Sequence, residues 1–212
     1  MSSKPSPSLA KIVRIEPLTS QSARWTALSK ITYTDPAGTE RVWESASRPT
    51  KPATSEVDAV AILAILRDST DASYEPKLLL QKQFRPPTGG VAIEFPAGLV
   101  DPNESLETTA LRELKEETGY IGTFVSKTPV LWADPGFCST CLSLVTVHVD
   151  VSTPENRNPA TQLEEGEFIE TFSVKLAEYT KVLKKLAEEG YKIDSRVQNI
   201  AQGIELAQQF KL

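Results

Sequence analysis

The segment GLVDPNESLETTALRELKEETGY, residues 98–120, places Glu107, Glu113, Glu116 and Glu117 on what its apolar spacing predicts to be a single helix. Leu106, Ala110 and Leu114 recur at i, i+4 and i+8 as a stripe that must be buried, with Ser105 or Asn103 as the N-cap. On the face beside that stripe Glu113, Glu116 and Glu117 crowd together, and like charges at helical spacing repel one another. Such a helix has to pack against a core on one side and meet positive charge on the other. Two readings answer the second demand. One is a solvated acidic face with Arg112 and Lys115 interspersed. The other is a site for a hard cation such as Mg²⁺, which takes oxygen ligands and shares them with substrate phosphates.

The rest of the chain narrows the setting. Its 212 residues, 40% hydrophobic and 24% charged, suffice for one good core and a small extra lobe. The net charge is −5 and no Lys/Arg run exceeds two residues, so neither nucleic acid nor a membrane surface is expected as a partner. Any anionic substrate must be met by locally placed cations. The longest apolar run, Ala59 to Leu66, is too short to cross a bilayer, and MSSKPSPSLA lacks the apolar stretch of a secretion signal. A cytoplasmic or nuclear location is the expectation. Cys138 and Cys141, in CSTC, lack both a second ligand pair and a redox context, and read as two reduced thiols. The single histidine, His148, falls within the alternating run LVTVHVDV and reads as a side chain on one face of a strand. General-base chemistry must then fall to a carboxylate.

Along the chain, residues 1–10 are rich in Ser and Pro and are expected to be disordered. Residues 11–54 form a small N-terminal β region, with strand-like runs KIVRIEPL, ARWTALSKITYTD and ERVWESA and a hairpin turn at DPAG. SRPTKPATSE reads as a linker into a main domain, residues 55–212. That domain opens with the apolar runs DAVAILAILR, PKLLLQKQF and GVAIEFPAG, then the acidic helix, then TFVSKTPVLW, CLSLVTVHVDV and FIETFSV, and closes with two helical patterns. Strands on both sides of one helix, with helices at the end, argue for an α+β fold with a mixed sheet rather than a regular βαβ alternation. The N-terminal strands have too little apolar surface for a core of their own, so a partner is expected to cover them.

Gly98, Glu104 and the run from Arg112 to Tyr120 stand at the fixed spacing of the Nudix box, with Tyr120 where an aliphatic residue is usual. The sequence resembles the Nudix hydrolases. That resemblance implies an α/β/α sandwich with a mixed sheet, a divalent cation held by the box, and hydrolysis of a P–O–P bond in a nucleoside diphosphate derivative. Pro135, sixteen positions after Gly119, together with RVWESASRP and QKQFRPPTGGVAIEFPAGLVD, is similar to the eukaryotic ADP-ribose and ADP-sugar pyrophosphatases. The implied reaction converts ADP-ribose to AMP and ribose 5-phosphate with Mg²⁺, or Mn²⁺ in its place. The implied assembly is a homodimer formed through the N-terminal β region.

Residue roles follow from the same resemblance. Glu113 and Glu117 resemble the metal-binding glutamates, with the carbonyl of Ala97 as a further ligand. Glu116 belongs to that cluster, and Arg112 orients its carboxylates. Glu104 and Glu94 support it from behind, although Glu94 also fits an ordinary strand-edge position. Arg85 and Arg48 match arginines that grip phosphates or the terminal ribose, or are plain surface residues. Ala97, Leu99 and Asp134 correspond to substrate contacts. Trp25 and Trp43 correspond to a sandwich for adenine with one indole from each subunit and Glu44 alongside, or else are core or interface anchors. The base corresponds to Glu167, after Gly166 in LEEGEFIE, with Glu165 and Glu164 as rivals and a solvated turn as the plain alternative. Two other functions compete: hydrolysis of oxidised nucleoside diphosphates, and ADP-ribose sensing without catalysis. A sensor is expected to lose box glutamates, and this chain keeps them.

Overall fold

A computed structural model describes residues 4–19 and 21–211. A hairpin of β1 (Ala27–Thr34) and β2 (Glu40–Ser47) precedes the main sheet. There follow β3 (Ala59–Arg67), β4 (Lys77–Arg85), β5 (Gly90–Glu94), β6 (Ala97–Leu99), helix α1 (Leu106–Thr118), β7 (Thr123–Lys127), β8 (Leu131–Trp132) and β9 (Cys141–Asp150). The chain ends with β10 (Ile169–Lys175), α2 (Tyr179–Glu188), β11 (Lys192–Ile193) and α3 (Ser195–Phe210). The sheet is mixed: β3 runs parallel to β9 over its whole length and antiparallel to β4 and β6, while β4 also pairs antiparallel with β5 and β10.

Alternation along the strands decides the layers. On β3, Val60, Ile62, Ala64 and Leu66 join Leu79, Val145, Val147 and Val149 under Ala110 and Leu114 of α1. The intervening Leu63 and Ile65 face the opposite way, with Leu78, Leu80 and Ile93, and pack against Tyr179 and Leu183 of α2 and Val197 and Ala201 of α3. One helix on one face and two on the other make an α/β/α sandwich, as expected. Leu114 and Ala110 are fully buried. Burying a leucine side chain is worth roughly 1.5–3 kcal/mol, against about 0.2–0.5 kcal/mol for one like-charge pair at i, i+4. The core contact therefore holds α1 in place despite its crowded carboxylates. Ser105 is the N-cap, accepting from Thr108 N, and Gly119 closes the helix at φ +77°.

Three sequence expectations change. KIVRIEPL is not a strand: residues 11–18 carry no regular structure and are exposed, because no sheet edge pairs with them. GVAIEFPAG is two strands, broken at Phe95–Pro96, so that β5 pairs with β4 and β6 with β3. Residues 4–10, expected to be disordered, include a short 3-10 turn at Pro7–Leu9 with Pro7 buried, while residues 1–3 lie outside the described residues. The DPAG hairpin forms as read: Asp35 Oδ1 accepts from Ala37 N (2.9 Å) and Thr39 N (2.8 Å), and Gly38 adopts φ +81°. Its strands bury only Ala46, leaving Leu28, Ile31, Tyr33, Val42 and Trp43 exposed. No helix among the described residues is long and apolar enough to cross a membrane.

Candidate active site on the acidic helix

The outer face of α1 meets β6 and β4 at one end of the sheet. Arg112 is the hub. Its Nε and Nη2 hold Glu104 Oε1 and Oε2, each at 2.9 Å, in a two-point fork. Its Nη1 donates to Glu113 Oε1 at 2.8 Å and to Glu116 Oε2 at 3.2 Å, and Nη2 reaches the Leu99 carbonyl at 3.3 Å. One guanidinium thus fixes three carboxylates and the strand beside them. The fork holds Glu104 well below the usual carboxylate range, at about 2.

Glu117 lies deeper, only 4% exposed. Its Oε2 accepts from Ala97 N at 2.9 Å and its Oε1 from Gln81 Nε2 at 3.4 Å. These bonds do not offset the loss of hydration: burial first, then repulsion from Glu113 and Glu167, pushes Glu117 up to about 8. Glu113 is raised too, by burial, while the Arg112 contacts oppose the shift and Glu116 and Glu167 add to it. Gly98 lets the strand approach. A Cβ there would stand 1.9 Å from the Glu113 carboxyl, so any other residue would drive that side chain out of its place.

This donor set fits a hard divalent cation. It consists of oxygens, and it includes a buried carboxylate with no cationic partner of its own. No three His, Cys, Asp or Glu side chains among the described residues form a ready-made chelate. A cation bound here would complete its shell with water and phosphate oxygens.

Around this centre the sheet register adds polar groups. Gln81 on β4 lies opposite Glu94 on β5, so both face the α1 layer. Glu94 is buried and accepts from Arg85 Nε at 2.8 Å. It is the last residue of β5, paired with β4 alone, since β11 reaches only Ala92 and Ile93. The terminal nitrogens of Arg85 donate to no described residue. Gln81 Oε1 is the one buried side-chain oxygen or nitrogen atom among the described residues without a partner. The sequence reading missed Gln81; the signal was an amide within the apolar run LLLQK, on the same face as Leu79. Glu167 sits in the loop before β10, its Oε2 accepting from Glu164 N at 2.9 Å. Its charge acts on Glu113 and Glu117.

The remaining candidates lie on exposed surface. Trp25 is 70% and Trp43 50% exposed, so neither is a core residue of this chain. Trp43 Nε1 donates to the Gly136 carbonyl at 3.0 Å, which ties β2 to the loop carrying exposed Asp134. Two main-chain bonds, Ala46 N to Phe137 O (3.0 Å) and Ser139 N to Ala46 O (2.9 Å), reinforce that tie. Leu99 is exposed and Ala97 half-buried, both on β6. Glu44 and Arg48 are exposed and make no side-chain bond to a described residue. His148 is held away from the site, with Nδ1 3.0 Å from Arg67 Nη1. Cys138 and Cys141 are free thiols, Cys141 buried beside Asp58.

The fold is a mixed-sheet sandwich with an acidic, oxygen-rich site on its single-helix face. The chain belongs to the NUDIX domain family, whose sequence pattern matches residues 57–197. It is 51% identical over 210 residues to the ADP-ribose pyrophosphatase of Saccharomyces cerevisiae, covering 99% of this chain and 90% of that protein. It is 36% identical over 187 residues to the ADP-sugar pyrophosphatase of Mus musculus, covering 88% and 84%. A crystal structure titled as an ADP compounds hydrolase shares the fold, with a TM-score of 0.57 at 19% identity over 99% of this chain and 96% of the other. Nudix hydrolases generally need a divalent metal.

Proposed function

We propose that this chain hydrolyses the diphosphate bond of ADP-ribose and related ADP-sugars with Mg²⁺, giving AMP and ribose 5-phosphate from ADP-ribose. The observation that carries the reading is the buried Glu117 carboxylate, held beside Glu113 with no cation of its own. The two pyrophosphatase relatives point to the substrate class. A bound divalent cation supplies charge neutralisation at the diphosphate and acidifies the attacking water. Glu113, Glu116, Glu117 and the Ala97 carbonyl would hold it. Arg112 keeps Glu113 and Glu116 oriented, while Ala97 N and Gln81 Nε2 hold Glu117. The free fork of Arg85, with exposed Arg48, meets the phosphate charge that an acidic chain would otherwise repel. Glu167 takes the proton from the attacking water.

The exposed apolar hairpin supports a homodimer that covers it, with Trp25 and Trp43 of different subunits stacking on adenine. Trp25→Ala and Trp43→Ala should each raise KM about tenfold or more, since base stacking is worth roughly 1–3 kcal/mol per contact. Mixing the two variants should restore part of the activity if each site draws on both subunits. Unchanged KM in both would remove adenine stacking from the reading.

The activity is tested by chromatography of products from ADP-ribose, ADP-glucose, NADH and oxidised nucleoside diphosphates, each with and without Mg²⁺. AMP and ribose 5-phosphate from ADP-ribose, formed only with metal, are the expected result. Turnover confined to the oxidised nucleotides would assign a nucleotide-pool role. Binding of ADP-ribose without any product would make the chain a sensor.

A further inference from the structure

The segment that leads into β10 is anchored to α1 at its start and to the sheet at its end. At its start, Gln162 N donates to the Glu116 carbonyl at 2.7 Å, and Ala160 lies so near Gly119 that a Cβ there would stand 2.3 Å from its nitrogen. At its far end Ile169 enters β10 opposite Gln83. Between these anchors, residues 163–168 carry Glu164, Glu165 and Glu167, and the charge of Glu167 acts on Glu113 and Glu117 of α1. Like charges at Glu167 and on α1 repel, so the loop would move away if nothing held it.

Lys4 opposes that. The loop forms a tight turn, with Glu167 N donating to the Glu164 carbonyl at 3.1 Å. Lys4 Nζ donates to the Leu163 carbonyl at 3.2 Å, to the Glu167 carbonyl at 3.0 Å, and to the Glu164 carbonyl. An ammonium has three donors, and here all three are used on one turn. The Phe168 ring lies 5.8 Å from the same nitrogen. No other Lys or Arg side chain among the described residues bonds to residues 163–168. Lys4 is itself held, because Pro7 three residues on is buried in the 3-10 turn that packs on β4 and β5.

We infer that Lys4 is a positioning residue for the reaction: the N-terminal segment straps the acidic loop so that Glu167 stays beside the carboxylates of α1. The inference rests on the proposed role of Glu167 as the base. A cation that binds main-chain carbonyls leaves the carboxylates of the loop available, so it gathers charge near the site without neutralising the group that takes the proton. Removing the positive charge of Lys4, by substitution or by acylation of its amine, should release the loop without touching substrate.

The test compares full-length wild type with Lys4→Ala, Lys4→Gln, Lys4→Arg, Glu167→Gln and the Lys4→Ala/Glu167→Gln double variant. Two readouts are used: steady-state kinetics with ADP-ribose, and amide hydrogen exchange of residues 161–168. Lys4→Ala and Lys4→Gln should lower kcat roughly three- to tenfold with KM within about twofold, and should speed exchange in the loop. Lys4→Arg should restore both. In the double variant the loss should be no greater than in Glu167→Gln alone, because Lys4 acts through that residue. Unchanged loop exchange in Lys4→Ala overturns the strap whatever the kinetics show. Faster exchange with normal kcat, while Glu167→Gln is impaired, overturns the positioning role. Faster exchange with full rate in both single variants upholds the strap and rejects Glu167 as the base.

Discussion

Replacing Glu117 with Gln should lower turnover by roughly 10²–10³-fold or more while leaving the metal-free protein as stable as wild type, or more stable. The two effects have one cause. Glu117 is buried beside Glu113, its oxygens held by Ala97 N and Gln81 Nε2, and its carboxyl is raised from 4.5 to about 8. Between those values the native state keeps a proton that the unfolded chain has released. The contribution of Glu117 to native stability is therefore greatest below about pH 4.5 and falls as pH rises to about 8, by on the order of a few kcal/mol. Glu113, raised in the same direction, adds to the loss.

The amide isostere cannot ionise, so its metal-free melting temperature should be flatter across this pH window and should exceed that of wild type at pH 8. It still accepts from Ala97 N, and its new N–H₂ can donate to Gln81 Oε1 once the Gln81 amide turns over. Mg²⁺ should raise the melting temperature of wild type at pH 8 more than that of the variant. Thermal melts at pH 5 to 8 in EDTA and in Mg²⁺, with turnover over a Mg²⁺ series, measure all of this. Near-normal turnover at low Mg²⁺ would remove Glu117 from the metal site.

Glu167→Gln should reduce kcat by about 10²–10⁴-fold with little change in KM, the range that general-base catalysis covers. The loop should keep its shape, because an amide oxygen can replace Oε2 as the acceptor of the Glu164 N–H bond. What is lost is the ability to take a proton. The variant should also let Glu113 and Glu117 ionise more readily, since the Glu167 charge contributes to raising both. A rate loss accompanied by unchanged or tighter Mg²⁺ dependence would therefore separate a base from a metal ligand. Glu165→Gln is the control; if it loses more rate than Glu167→Gln, the base is the neighbouring glutamate.

Local chemistry made much of this molecule legible in the sequence. The Leu106, Ala110, Leu114 stripe and the Ser105 cap define α1, and DPAG dictates a hairpin turn whatever packs around it. The spacing from Gly98 to Tyr120 picked out the candidate carboxylates, because one short strand, the loop after it and one helix carry the whole run. Groups brought together from distant parts of the chain were not legible. Gln81 meets Glu117 across 36 positions, through the pairing of β4 with the rest of the sheet. Lys4 meets its loop across some 160 positions, through a turn that packs on β4 and β5. Residues 11–18 have the composition of a strand but no edge to join, and strand formation requires a partner. The exposure of Trp25 and Trp43 was likewise decided by the tertiary structure, since an indole in a sequence looks the same whether it is headed for a core or for a surface. Periodicity and capping are set by neighbours along the chain. The raised carboxyl of Glu117 depends on how much water and how much charge remain around it once the chain has folded, and the order of residues alone does not specify either.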